Sequence, residues 1–251
     1  MAKESYLKLL SGVCVFFLTS AAICAFGQNM VPGVEGSNIH RKWQYGIFFQ
    51  GGLPIPYPNV FRDSRGENFS IQMAFYNAGL EGGRMYTAPR GPGFLRGRAE
   101  HIVEISPLWL AHHPKQTITF NLIDPSNNNK VTKTVLWGPV TVYGTSITPL
   151  LFRWNFMRST YAHTVPWIQG GAGLIVSSKD FPTISNGNSL LSTSKINLTP
   201  QIGIGESIAT RGNQSLTLAV KLIHISSAGM GSENPGIGAS INFSVGYSWW
   251  R

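Results

Sequence analysis

The chain has 251 residues, of which 43% are hydrophobic and 12% charged, and its formal net charge is +9. Charged residues are about half the roughly 25% of an ordinary soluble domain, and past residue 27 no apolar run approaches the ~20 residues of a spanning helix. Intrinsic disorder and a bundle of membrane helices are thereby excluded, while 28 glycines suit β structure with many turns.

Residues 1–27 read as a secretory signal, with a retained membrane anchor as the alternative. Lys3 and Lys8 make a positive start, Leu9 to Phe26 is mostly apolar, and Ala25-Phe26-Gly27 puts small residues at the −3 and −1 positions of a cut before Gln28. Both cysteines, Cys14 and Cys24, leave with that segment. The mature chain, 28–251, then has no disulfide, no Cys-ligated metal and no thiol nucleophile. It reads as one domain. A basic exported protein meets anionic lipid or polysaccharide, and nucleic acid is not expected as a partner.

Eight strands are expected in chain order: Trp43–Gln50, Phe69–Leu80, Arg98–Leu108, Leu150–Phe156, Val165–Val176, Lys195–Ile208, a seventh from Leu216 and an eighth from Ile237. The eighth is the clearest. Ile237, Ala239, Ile241, Phe243, Val245, Tyr247 and Trp249 alternate with Gly238, Ser240, Asn242, Ser244, Gly246 and Ser248, a period of two with one apolar face. Such alternation fits either a soluble sandwich, whose apolar face is the core, or a membrane barrel, whose apolar face meets lipid. Three features favour an all-β, eight-stranded antiparallel outer-membrane barrel. The strands approach the 9–11 residues that cross a bilayer with tilt. Glu104, Arg153 and Lys221 fall on the polar phase, where a narrow lumen can pair them. Trp43, Tyr45, Tyr247, Trp249 and Trp250 gather at strand ends, as interfacial girdles do. The connections 51–68, 109–147, 178–194 and 227–237 then lie outside, and 81–95, 157–164 and 209–214 in the periplasm.

On the apolar face of the seventh strand, Leu216, Leu218, Val220 and Leu222 are followed by His224 and Ser226. At i and i+2 their Cα atoms lie roughly 6.5 Å apart on one face, so an imidazole reaches a hydroxyl. That is the base and nucleophile arrangement of acyl transfer. The plainer reading is that the two polar residues mark the end of the spanning segment.

The loop that follows adds to this. His224-Ile225-Ser226-Ser227-Ala228-Gly229 and then Asn234-Pro235-Gly236 resemble the His-x-Ser-Asn-Ala-Gly and Asn-x-Gly signature of the lipid A 3-O-deacylase (PagL) family, also grouped as acyloxyacyl hydrolases. Tyr143-Gly144, Arg153-Trp154-Asn155-Phe156 and Gly170-Gly171-Ala172-Gly173 are weaker family blocks. The resemblance implies an outer-membrane esterase that removes an ester-linked hydroxyacyl chain from the 3 position of lipid A, with lipopolysaccharide and membrane lipid as partners and no cofactor. It implies Ser226 as nucleophile and His224 as base, with oxyanion donors from the backbone around Ala228 and Gly229 and from Asn234. The acyl chain would lie along Val220 and Leu222. Two positions depart from the pattern. The family's glutamate, fourteen residues after the histidine, is Gly238 here, and Ser227 stands where the family usually has Asn. Glu233, Ser240 or a water are the substitutes for the missing acid.

Other sites are weaker. His112-His113 with His101 do not make metal-ligand spacing, and no metal is expected. Asp124-Pro-Ser-Asn-Asn-Asn-Lys130 reads as a turn, since it lacks the glycine and final glutamate of a calcium loop. Arg62, Arg65, Lys130 and Lys133 are outer-loop cations that can meet lipid phosphates. The alternatives to an esterase are a non-catalytic structural or adhesive barrel, an acyltransferase, and a soluble lipid- or glycan-binding sandwich. Self-pairing of the barrel as a homodimer is left open.

Overall fold

The structure is a computed structural model describing residues 42–54, 74–113, 115–123, 130–137, 139–157, 163–180, 182–185, 189–192, 194–226 and 237–251. The proposed signal segment lies outside the described residues. Twelve strands follow one another: β1 (Trp43–Pro54), β2 (Ala74–Met85), β3 (Gly97–His113), β4 (Gln116–Ile123), β5 (Lys130–Trp137), β6 (Val140–Phe156), β7 (Thr164–Ser177), β8 (Pro182–Ser185), β9 (Ser189–Ser192), β10 (Ile196–Ala209), β11 (Gln214–Ile225) and β12 (Ile237–Trp250). Eight of them close an antiparallel barrel in the order β1-β12-β11-β10-β7-β6-β3-β2. The pairs β4–β5 and β8–β9 are separate hairpins. They occupy the two stretches expected as outer loops, 109–147 and 178–194.

Alternation sets the two faces. On β12, Ser240, Asn242, Ser244, Ser248 and Trp250 are buried in the lumen, whereas Val245 and Trp249 are exposed on the outside. Trp250 therefore corrects the expected girdle. It points inward, and its Nε1 donates to Ser215 Oγ at 2.9 Å. Trp43, Tyr45 and Trp249 are exposed, and Arg84 lies 5.0 Å over the Trp43 ring. The connection between β10 and β11 at this end is a tight turn, as in the periplasmic turns of outer-membrane barrels, whereas that between β2 and β3 spans residues 86–96. The turn between β10 and β11 places Gly212 at φ +58, a conformation that disfavours a side chain. Asn213 ties that turn to the last strand through Trp250 N, 2.7 Å from its carbonyl.

An eight-stranded barrel has an interior just wide enough for side chains to fill. Its lower and middle lumen is polar. Lys221 Nζ lies 2.6 Å from Glu104 Oε1, and Gln201 donates to the other carboxylate oxygen at 3.2 Å. Arg153 lies 3.6 Å from Glu81 and 3.8 Å from Glu100, donates to Gln169 Oε1 at 3.0 and 3.1 Å and stacks 4.2 Å over Trp167. Gln44 and Ser248 donate to Glu81, and Asn155 to Glu100. A buried ion pair holds best when its remaining lone pairs and protons are also satisfied; these donors meet part of that need, while Glu100 Oε1 and Arg153 Nη1 are left without a hydrogen bond. The outer end of the lumen is apolar instead: Phe75, Trp109, Ala111, Val142, Ile175 and Ile225 form one cluster.

The strand bounds differ from expectation in four places, the first being β1, which runs four residues past Gln50 to Pro54. β2 runs to Met85, so 81–85 belongs to a strand and not to the periplasmic turn; residues 69–73 lie outside the described residues. β3 and β6 each have 17 residues, and only the inner end of β6 was expected. Their register shifts at Ile102/Glu104 and Ser106/Trp109, beside Pro107 and Pro149, which donate no N–H to a ladder.

Candidate active site

β11 rises from the tight turn at 210–213 and presents Leu216, Leu218, Val220, Leu222 and His224 outward. Thr217, Ala219, Lys221, Ile223 and Ile225 are buried in the lumen. Ser226 continues the outward row past the strand end. His224 and Ser226 thus share one face at the outer rim, as the period of two requires. Ile225, between them, points the other way into the apolar cluster under the rim. That inward anchor fixes the strand on which the two polar residues stand. Nδ1 of His224 is shielded from solvent.

The sheet is irregular on both sides of His224. On the β12 side, His224 pairs with Ala239 and Ile225 with Ile237. Gly238 is the extra residue of this bulge, so two residues of β12 oppose one of β11. On the β10 side the ladder runs up to Gln201–Ile223 and resumes at a single bridge between Leu198 and Ser226. Ser226 N donates to the Leu198 carbonyl at 2.9 Å, and Leu198 N to the Ser226 carbonyl at 2.7 Å. The same register sets Pro200 opposite His224, and proline has no N–H to give the ladder. The backbone at His224 is therefore less tied than that of the strand below it, while the bridge at Ser226 holds the chain beyond.

The other expected site residues fall as follows. Val220 and Leu222 lie outward in a continuous apolar strip, flanked by Ile204 and Ile202 on β10 and by Phe243 and Ile241 on β12. Ser240 is fully buried in the lumen, where its Oγ binds Asn242. It is on the wrong face to orient His224, and that substitute for the missing acid is discarded. Ser227, Ala228, Gly229, Glu233 and Asn234 lie outside the described residues, as do Arg62 and Arg65. Lys130 and Lys133 fall on the β5 backbone. His101 meets the Pro149 carbonyl at 2.7 Å and tilts against Phe152; His112 meets Thr141 Oγ1 at 3.0 Å. No cluster of three metal-ligating side chains occurs among the described residues. Sequence reasoning missed the lumen carboxylates Glu81 and Glu100. For Glu100 the polar phase of the third expected strand was the available signal, whereas Glu81 fell in a stretch expected as a turn.

Residues 109–248, which contain His224, Ser226 and Gly238, match the family described as lipid A 3-O-deacylase (PagL). The chain belongs to that family. It is an outer-membrane lipid A deacylase or a related eight-stranded barrel, and its location is the cell outer membrane. Among solved structures it is similar to the outer membrane enzyme PagL, at 16% identity over 81% of this chain and 98% of that one, with a TM-score of 0.44. It is also similar to Neisserial surface protein A, at 12% identity over 85% and 97% of the two chains, with a TM-score of 0.41. No curated protein matches.

Proposed function

We propose that this PagL-family barrel hydrolyses the ester-linked hydroxyacyl chain at the 3-O position of lipid A, with Ser226 as nucleophile and His224 as base. The observation that carries the reading is the shared outward face of the two residues at the outer rim, within the matched family region. Polar side chains on a lipid-facing row are costly unless shallow or functional, and this pair stands where ester carbonyls of outer-leaflet lipid meet headgroups.

In this mechanism Ser226 Oγ attacks the ester carbonyl while His224 takes its proton. The imidazolium then protonates the departing lipid A alcohol. Water, deprotonated by His224, hydrolyses the acyl-serine and regenerates the hydroxyl. Oxyanion donors come from the backbone at Ala228 and Gly229 and from Asn234. The scissile chain lies along Leu222 and Val220. Gly238 carries no carboxylate, so the site acts as a Ser-His dyad. The same glycine favours the second reading, a non-catalytic barrel. The mass of lipid A in outer membranes containing the folded protein decides between them. Loss of one hydroxyacyl chain with the native residue and no loss with Ser226→Ala supports the esterase; unchanged lipid A with both supports the non-catalytic barrel.

A further inference from the structure

A second feature of the lipid-facing surface lies away from His224, on the strands that close the barrel. Two adjacent rungs cross β12, β1, β2 and β3. One joins Phe243, Gly51, Tyr76 and Leu110; the next joins Val245, Phe49, Ala78 and Leu108. Gly51 and Ala78 are diagonal neighbours and small, so the surface sinks between them. Phe49, Tyr76 and Leu108 are exposed around them. The result is an apolar groove of about 490 Å³. A Cβ on Gly51 would stand only 3.3 Å from the Tyr76 ring, so the absence of a side chain there is what leaves room beside that ring.

The groove lies toward the outer ends of β1 and β2. Gly51 is three residues from the outer end of β1, and Tyr76 two residues from the outer start of β2. Its surroundings there are hydrocarbon, and an unfilled depression forfeits dispersion contacts along its whole lining. Strand register links it to the candidate site along β12. Ala239 is opposite His224, Ile241 beside Leu222, and Phe243 forms a groove wall. Ala239 and Phe243 are four residues apart, about 13 Å of strand. The scissile chain runs down β11, whereas the groove is centred on β1 and β2.

We propose that this groove is a second acyl-chain site, which seats another chain of the same multi-acyl lipid whose ester meets Ser226. The proposal rests on the reading of Ser226 as nucleophile. It assigns the enzyme a preference for lipids with several chains over single-chain esters, through binding rather than chemistry.

The test compares the native protein with Ala78→Phe, which fills the groove, and Leu108→Ala, which lowers a wall. Folding is checked by heat-modifiable migration on gels. Kinetics are measured on lipid A and on p-nitrophenyl hexanoate. Both variants should raise KM for lipid A so that the preference for lipid A over the short ester falls about tenfold. An unchanged preference in both variants overturns the proposal. If the native protein cleaves neither substrate, the esterase reading has failed, and the groove is tested alone by native mass spectrometry with lipid A. Weaker retention of lipid A by Ala78→Phe supports the site, and equal retention overturns it. A native dimer that Ala78→Phe splits also overturns it, by giving the groove to a second copy of the chain.

Discussion

Lys221 and His224 stand three residues apart on β11 and on opposite faces. The ammonium of Lys221 is sealed in the lumen against Glu104 at 2.6 Å, while His224 stands on the lipid side at the outer rim. One strand thus carries a structural ion pair inward and the candidate chemistry outward. The period of two keeps them apart, and the barrel wall separates their surroundings.

The inward pair is predicted to matter for stability and not for chemistry. Lys221 and Glu104 are both buried, so Lys221→Met leaves a carboxylate without its cation. Such a loss costs about 3–5 kcal/mol. Adding Glu104→Gln should recover most of it, since the amide keeps its contact with Gln201. Urea unfolding of the barrel in detergent measures both. A single variant as stable as the native protein would show that the lumen hydrates the charge.

The outward face is predicted to be lipid. Ile204, half-way along β10 between Val220 and Ile168, is exposed. Ile204→Arg should cost about 2–4 kcal/mol in a bilayer, whereas Ile204→Phe should be nearly silent. Folding equilibria in lipid vesicles read the difference. A tolerated arginine would mean that this face meets water.

The alternation that exposes Ile204 and buries Lys221 was legible in the sequence, because each strand face meets a single phase. β10, β11 and β12 therefore appeared close to their observed bounds. The end of β2 did not. Glu81-Gly82-Gly83-Arg84-Met85 has the composition of a turn, yet Glu81 faces the lumen, where Gln44, Ser248 and Arg153 bind it. In a barrel a charge within a strand is permitted if a distant strand supplies its partner, and a single sequence does not show that partner. The outer half of β6 was hidden by Pro149, and the last five residues of β3 lay beyond Pro107, where the expected strand stopped at Leu108; the register shifts accommodate both prolines. At the candidate site, the shared face of His224 and Ser226 was legible from their spacing, while the loop motif that follows is what singled them out as a candidate pair. The neighbours Pro200 and Gly238, which loosen the ladder around them, depend on register and emerged only with the fold.

Ile225 is predicted to couple stability to the site. It is fully buried with Phe75 and Trp109, whose rings are 5.2 Å apart. Ile225→Ala should cost about 2–5 kcal/mol. It should also slow lipid A cleavage at temperatures where the barrel stays folded, because the strand between His224 and Ser226 loses its anchor. Activity followed alongside the unfolding transition tests this. Full activity in a destabilised barrel would place the positioning elsewhere, at the Leu198–Ser226 bridge.

The missing acid gives the sharpest prediction. Gly238 is the extra residue of the bulge, and with Ala239 it opposes His224. A carboxylate at that position would start from the strand beside His224, one residue from its register partner Ala239. It could then hold the imidazole and stabilise the imidazolium that forms as Ser226 attacks. Removing such a group from a complete triad lowers kcat about 10⁴-fold, and a dyad that has adapted to its absence should regain part of that. Gly238→Glu is expected to raise kcat on lipid A at least tenfold with KM little changed, since the gain arises in the transition state. The bulge already removes this residue from the regular ladder, so the added side chain should not disturb pairing. A time course of lipid A mass, native against Gly238→Glu, reads the result. No gain in a folded variant would mean that another group, with Glu233 first in line, already orients His224, and Glu233→Gln would then abolish what activity there is.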